Sequence, residues 1–381
     1  MRELKLKKYL VPFIIINTIF INCKFQFSLF NQLNKKNKGK NLTISPLSIF
    51  QALSLVSNGA NGPTQMELLF LLDDKGMAEI NAINLKILNE LKEITSLEMG
   101  NAIMTRLSPL NKFSKIAEDN YLAEIQPLKN VKQVNKWCEK KTNGKITEII
   151  DKLDDNVYMI ILNALYFKGQ WEYPFSKSLT SKKLFFNYNS VKDSKIVDTM
   201  INTKYYSYYE DPNIQAVDLK YQKDGMSALI ILPKKKLDIN EFIDIFNRDH
   251  EYMYSIILNF NIRKVNIQIP KFEITYKESL KEVIKEMGVN IAFRSNADFS
   301  NIRTQNDIMI DDIIHKTYLK INEEGTEAAA VTAVTVKNEI LSYQEITYDM
   351  IINRPFLFII RNKNFPKYYD IIFISKIEEI N

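Results

Sequence analysis

The chain has 381 residues, 46% hydrophobic, 25% charged and 11% aromatic, a globular balance that excludes disorder, a collagen-like repeat and a multi-span membrane protein. Fifty-one Lys and Arg against 45 Asp and Glu give +6; Arg2, Lys5, Lys7 and Lys8 face only Glu3 in the first 23 residues, so the remainder carries 47 − 44 = +3, too mild and too mixed for a nucleic-acid footprint. With two cysteines (Cys23, Cys138) and two histidines (His250, His315), no zinc spacing, HExxH, GxSxG, phosphate loop or disulfide framework can be written. No metal, no cofactor and no catalytic residue is expected; residue counting leaves only carboxylate chemistry open.

The four N-terminal bases precede an apolar run from Tyr9 to Ile21. This is the shape of a secretory signal peptide, shorter than the roughly 20 residues a membrane span needs. Residues 1–23 are read as that peptide, with cleavage near Cys23; the alternative is an uncleaved anchor or a first core helix. Cleavage would leave 24–381 as a secreted, extracellular protein with no membrane attachment and one thiol, Cys138.

Phe25, Phe27, Leu29, Phe30 and Leu33 form an apolar stripe, and Lys35 to Lys40 make a basic turn. The one glycosylation sequon, Asn41-Leu42-Thr43, runs into an apolar strand and is read as unused. Ser45 is a capping acceptor with Pro46 at the first helical position, and Ile49, Ala52, Leu53, Val56 and Ala60 follow at helical spacing up to Gly59. Val134, Trp137 and Cys138 mark a helix over 131–142. Val265, Ile267 and Ile269 alternate before Pro270, as do Ile313, His315, Thr317, Leu319 and Ile321, so both stretches predict strands. His250, among Arg248, Asp249 and Glu251, is expected in a solvated loop. No repeat or linker divides 24–381, and helices mix with strands without a βαβ rhythm, which predicts one α+β domain.

Seven segments in order resemble the serpins over nearly all of 25–381: 41–48 (NLTISPLS), 163–171 (NALYFKGQW), Pro270-Lys271-Phe272, Ala297-Asp298-Phe299-Ser300, His315-Lys316, 322–330 (NEEGTEAAA) and Asn353-Arg354-Pro355-Phe356. Ser375 and Ile380 stand where the family usually has Gly and Pro, which bears on local turn geometry. The presumptive helix from Met77 towards Leu97 has few bases beyond Lys86 and Lys92, so a heparin site there is not supported. The resemblance implies a single large α+β domain with a central mixed sheet, further β-sheets, several helices and an exposed reactive-centre loop at about 325–350. It also implies a monomer whose partner is a serine protease, held covalently.

If 325–337 becomes a strand, Thr326, Ala328, Ala330, Thr332, Val334 and Val336 share a face with no charge and no bulky group. A loop that stays in water has no need of such restraint; one that must enter a sheet does. The resemblance supplies the event: a protease cuts the loop, and its N-terminal part joins the central sheet as a new strand. Ladder hydrogen bonds at ~0.5–1.5 kcal/mol each and valine burial at ~1.5–3 kcal/mol each put the driving force on the order of 10 kcal/mol.

By the same resemblance the hinge is Gly325, Thr326, Glu327, Ala328, Ala329 and Ala330, with Thr326 the first side chain to be buried on insertion. Ser45, Ser48, Asn163 and His315 match the polar shutter beneath the opening sheet, and Trp171 matches the breach at its top; a plain core aromatic or a satisfied core histidine would look the same. Counting from Gly325 in the family frame puts the scissile bond at Glu339-Ile340. The segment up to Pro355 is several residues longer than is common, so Lys337, Asn338, Leu341 and Tyr343 are the alternatives. The rival function is a non-inhibitory serpin-like carrier, chaperone or storage protein whose loop never inserts.

Overall fold

The computed structural model describes residues 25–72, 76–326 and 346–380; the expected signal peptide, Cys23 and most of the loop lie outside them. In chain order the described helices are α1 (Phe25–Lys36), α2 (Pro46–Gly59), α3 (Gly62–Leu71), α4 (Met77–Glu93), α5 (Asn111–Tyr121), α6 (Val131–Lys141), α7 (Ile239–Arg248), α8 (Glu251–Leu258) and α9 (Lys281–Glu286). The strands are β1 (Leu42–Ile44), β2 (Leu97–Thr105), β3 (Ala123–Pro127), β4 (Met159–Phe167), β5 (Gly169–Gln170), β6 (Ser181–Phe186), β7 (Ser194–Glu210) and β8 (Ile214–Lys220), followed by β9 (Met226–Pro233), β10 (Asn261–Pro270), β11 (Phe272–Ser279), β12 (Asp312–Asn322), β13 (Gly325–Thr326), β14 (Thr347–Ile351), β15 (Phe356–Asn362) and β16 (Ile371–Ile377).

These strands make two sheets, giving the α+β architecture expected. The larger runs β1-β16-β15-β9-β8-β7-β10-β14, with β6 also on β7. The smaller runs β3-β2-β4-β12-β13-β5, with β11 on β12. Its centre is a parallel pair, Ile160–Tyr166 of β4 against 312–318 of β12, flanked by the antiparallel partners β2 and β11.

Helix α2 starts where the sequence says it must. Ser45 accepts from the Ser48 amide at 3.4 Å, and Pro46 takes the position where no amide hydrogen is needed. Its side chains pack in the main core with Ile103, Ile161, Leu165, Ile313 and Leu319 of the smaller sheet. The opposite face of that sheet is also buried: Ala102, Met104, Ile160, Leu162, Tyr166, Ile314 and Tyr318 lie with Val134, Trp137 and Cys138 of α6 in a second core. Alternation along 313–321 foretold one buried face; α6 lying across the other explains why every residue of β4 is buried.

Three details differ from or refine the sequence reading. His250 is buried, not solvated: its ring stacks on Phe27 at 5.6 Å between centroids, and its Nδ1 lies 3.1 Å from the Phe246 carbonyl. The turn between α7 and α8 sends charged Arg248, Asp249 and Glu251 outward and the imidazole inward. Ser375 does not occupy a turn; it sits inside β16, opposite Thr43 and Phe358. The Asn41 amide donates to the Glu379 carbonyl at 2.8 Å and its oxygen accepts from the Glu378 and Glu379 amides, so the sequon nitrogen is committed to holding the C-terminal tail.

Helix α6 can approach β2 closely because position 100 has no side chain: a Cβ on Gly100 would lie 2.8 Å from Lys141 Cβ and 3.1 Å from the Trp137 ring. Gly100→Ala should cost about 1–3 kcal/mol by overpacking, and Gly100→Val more. Urea unfolding of the two variants checks this, with the order wild type, Ala, Val in midpoint.

Candidate functional site

The site is the seam between β4 and β12 and the point where it ends. Opposite each other in the seam stand Asn163 and His315. The Ser48 hydroxyl donates to Asn163 Oδ1 at 2.7 Å, His315 Nδ1 meets the same oxygen at 2.5 Å, and the Ser45 amide donates to His315 Nε2 at 3.1 Å. Because Nε2 accepts, the ring is neutral with its proton on Nδ1, donated to Asn163. Asn163 in turn donates to Asn101 Oδ1 at 2.5 Å. The structure thus brings Ser45, Ser48, Asn163 and His315 together in one fully buried network and adds Asn101 of β2, which no motif had pointed to.

Burial pulls the His315 imidazole down to about 3. The unfolded ring takes a proton near 6.5, whereas the folded one refuses it until about 3. Its contribution to stability is therefore complete above pH 6.5 and is lost as pH falls towards 3.

Beyond Tyr166 and Tyr318 the two strands part, and β13 fills the gap. Thr326 and Gly325 pair antiparallel with Ile321 and Asn322 on one side and with Gly169 and Gln170 of β5, which follows β4, on the other. Gly325 has φ +152°, and a Cβ there would lie 1.9 Å from the Gly169 carbonyl oxygen. Thr326 is fully buried, its hydroxyl 2.7 Å from that of Tyr221. Thr326 was expected to enter the core only on insertion; it is already there, because Gly169 and Gly325 leave room for a strand and Tyr221 offers a partner.

Tyr221 stacks on Trp171 with ring centroids 4.5 Å apart. Trp171 donates from Nε1 to the Asn322 carbonyl at 3.1 Å and from its amide to the Glu324 carbonyl at 3.0 Å, so it holds the turn between β12 and β13 directly. Asn322 Oδ1 accepts from the Glu324 and Gly325 amides. The Glu323 carboxylate accepts from Thr180 Oγ1 at 2.7 Å and Lys271 Nζ at 3.2 Å. Burial pushes that carboxyl up, but the Thr180 and Lys271 contacts outweigh it and hold it below its ordinary range.

Tyr221 and Thr180 carried no mark in the sequence, because nothing local identifies a residue whose partner arrives from a distant strand, and the segment 322–330 was singled out without the contacts that Asn322 and Glu323 make. Glu327, Ala328, Ala329 and Ala330 of the hinge, and the scissile candidates Lys337, Asn338, Glu339, Ile340, Leu341 and Tyr343, lie outside the described residues. Among the described residues no cluster of His, Cys, Asp and Glu could hold a metal, and no helix is long and apolar enough to cross a membrane.

A family model described as serpin (serine protease inhibitor) matches residues 21–379. The chain belongs to the serpin family. That is a family of protease inhibitors, not enzymes. The chain is 33% identical over 360 residues to alpha-1-antichymotrypsin of Homo sapiens, covering 89% of this chain and 83% of that protein. It is 30% identical over 361 residues to intracellular coagulation inhibitor 2 of Tachypleus tridentatus, covering 90% and 87%. Among solved structures, human thyroxine-binding globulin superposes with a TM-score of 0.84 at 27% identity, over 96% of this serpin and 99% of that chain. Serpin48 of Tenebrio molitor gives 0.82 at 27%, over 98% and 100%.

Two outcomes follow from this geometry. Between pH 6.5 and 3 the unfolding free energy should fall by on the order of 4 kcal/mol through His315 alone. His315→Leu should be less stable at neutral pH yet show a shallower slope across that window in pH-dependent urea melts. Tyr221→Phe keeps the stack and removes the hydroxyl, loosening the hinge by about 1 kcal/mol. Hydrogen exchange at Gly325 and Thr326 should then speed up roughly fivefold with the rest of the sheet unchanged.

Proposed function

We propose that this serpin is a secreted suicide-substrate inhibitor of a serine protease. The reading rests above all on β13: two residues of the loop already stand as a strand between β5 and β12, antiparallel to both. Continuing that register would lay Ala328, Ala330, Thr332, Val334 and Val336 on the face that Thr326 begins. The protease serine attacks the carbonyl of the scissile bond, proposed as Glu339-Ile340 with Lys337, Asn338, Leu341 and Tyr343 as alternatives. The amine side leaves, and the loop stays esterified to the protease. Insertion of the freed N-terminal part then carries the protease away before water can hydrolyse the ester.

In this reading Gly325 to Ala330 are the hinge and Trp171 holds the breach. Ser45, Ser48, Asn163 and His315 form a shutter whose hydrogen bonds can be re-partnered as the seam parts, leaving no buried polar atom alone. Relatives named as inhibitors support it. The likeness to thyroxine-binding globulin is one of fold and carries no ligand to this chain; the uncharged hinge face favours the inhibitor over the carrier.

Incubation with trypsin-like, chymotrypsin-like and acid-preferring serine proteases should give a denaturant-resistant complex with one of them. The mass of the released C-terminal fragment then locates the bond. Cleavage by a non-target protease should raise the melting temperature sharply; an unchanged value would favour the carrier. Thr326→Arg buries an unpaired charge at several kcal/mol. It should turn the inhibitor into a substrate, read as a high ratio of inhibitor consumed per protease inactivated; one-to-one inhibition by this variant contradicts the reading. Secretion is checked by N-terminal sequencing of the protein recovered from the medium, which should start near Cys23.

A further inference from the structure

The larger sheet ends in a two-stranded ribbon. Strand β7 pairs with β10 from Thr199 onward and with β6 up to that residue, so 194–198 have a single strand neighbour among the described residues. No described strand lies on the far side of β6, where the Phe186 amide donates to the Asn353 carbonyl at 2.8 Å. The ribbon and its tip expose aliphatic side chains that folding ordinarily covers: Val191 is 77% exposed, Ile196 66% and Leu184 50%. Leu184 and Ile196 stand directly opposite each other in the antiparallel register, so they share a face.

Four exposed lysines, Lys182, Lys183, Lys192 and Lys195, are interleaved with these groups, and Asp193 is the one acid from 182 to 196, which leaves 4 − 1 = +3. That equals the net charge of all of 24–381, so the remainder of that stretch sums to zero. The acids around the ribbon are engaged: Asp198 lies 3.6 Å from Lys271, buried Glu378 lies 2.6 Å from Lys376, and Glu379 accepts from the Tyr188 hydroxyl. Alternation puts Lys183 and Lys195 on the face opposite Leu184 and Ile196. A ribbon two strands wide is narrow enough for a four-carbon stem to bring the amine round its edge.

We propose that this ribbon docks on the surface of an anionic phospholipid bilayer, with Leu184, Val191 and Ile196 among the acyl chains and the lysines at the headgroups. Apolar side chains beside bases are the combination such a surface selects. The core of a protein–protein interface favours aromatic and Arg side chains over Lys. No Arg lies between 179 and 199, and the exposed aromatic there, Tyr188, has its hydroxyl tied to Glu379. Attachment of this kind is peripheral, unlike the anchor weighed for the N-terminus, and it does not depend on loop insertion.

The test is co-sedimentation with vesicles of phosphatidylcholine alone or mixed with phosphatidylserine. The protein is used as residues 24–381, which hold every described element, because the apolar run from Tyr9 to Ile21 would itself enter lipid. It should sediment with the mixed vesicles only, and less as salt rises. L184S/V191S/I196S and K182A/K183A/K192A/K195A should each bind at least about tenfold more weakly. K132A/K136A/K140A, which changes exposed lysines of α6, should bind within about twofold of wild type, as expected when bulk charge is not the determinant. All these side chains are exposed, so urea midpoints should match wild type. Trp137 and Trp171 are buried, so Ile196→Trp adds an accessible indole, whose fluorescence should be quenched by brominated acyl chains; Phe70→Trp, on exposed α3, should not be quenched. No sedimentation of wild type, retention by either ribbon variant, equal loss in the α6 triple, or an unquenched Trp at 196 would each overturn the proposal. So would self-association in analytical ultracentrifugation that L184S/V191S/I196S abolishes, since the patch would then serve a second copy of the chain.

Discussion

Everything in this molecule turns on the pairing of β4 with β12. Two parallel strands in the middle of a sheet have every backbone amide and carbonyl of the seam satisfied by each other, and separating them in a dry interior is prohibitive unless new partners arrive at once. A third parallel strand would need a long crossover, but an antiparallel one can be fed in through a tight turn. The Asn322–Gly325 turn is such a feed: it reverses β12 into β13, whose first two residues already pair on both sides. In the proposed mechanism the seam would open one rung at a time from that end, each broken rung being replaced by two.

That geometry depends on two glycines facing each other. A side chain on Gly325 would strike the carbonyl of Gly169, and one on Gly169 would lie 2.6–2.8 Å from the rings of Phe167 and Tyr221. Both let β13 come within hydrogen-bonding range of β5. The aromatic wall they approach, Phe167, Tyr221 and Trp171, is itself stacked and edge-packed.

Local chemistry announced much of this and missed the rest for physical reasons. Ser45-Pro46 reads as a helix start from capping alone, and the strands at 261–270 and 312–322 read from alternation. The buried quartet of Ser45, Ser48, Asn163 and His315 could be assembled only through family resemblance, since no period connects residues so far apart in sequence. Asn101 joins that network from β2 with no mark of its own, and Tyr221 looks like any strand tyrosine until Thr326 lies against it. His250 was misplaced because charged neighbours describe the solvation of a turn, not the direction each side chain takes.

The turn that feeds the seam is fixed by chemistry, not by looseness. Glu323 is held ionised by Thr180 and Lys271 even though burial opposes its charge, and Lys177 lies 2.7 Å from Glu324. The backbone carbonyls of the same two residues receive the amides of Phe175 and Trp171. The turn is thus tied at both side chains and both carbonyls, and Gly325, at φ +152°, is the residue beyond it whose conformation only glycine adopts without strain. Glu324 is the last charged residue before Gly325, and the uncharged face begins at Thr326. In the proposed mechanism Gly325 divides the fixed turn from the residues that would enter the sheet.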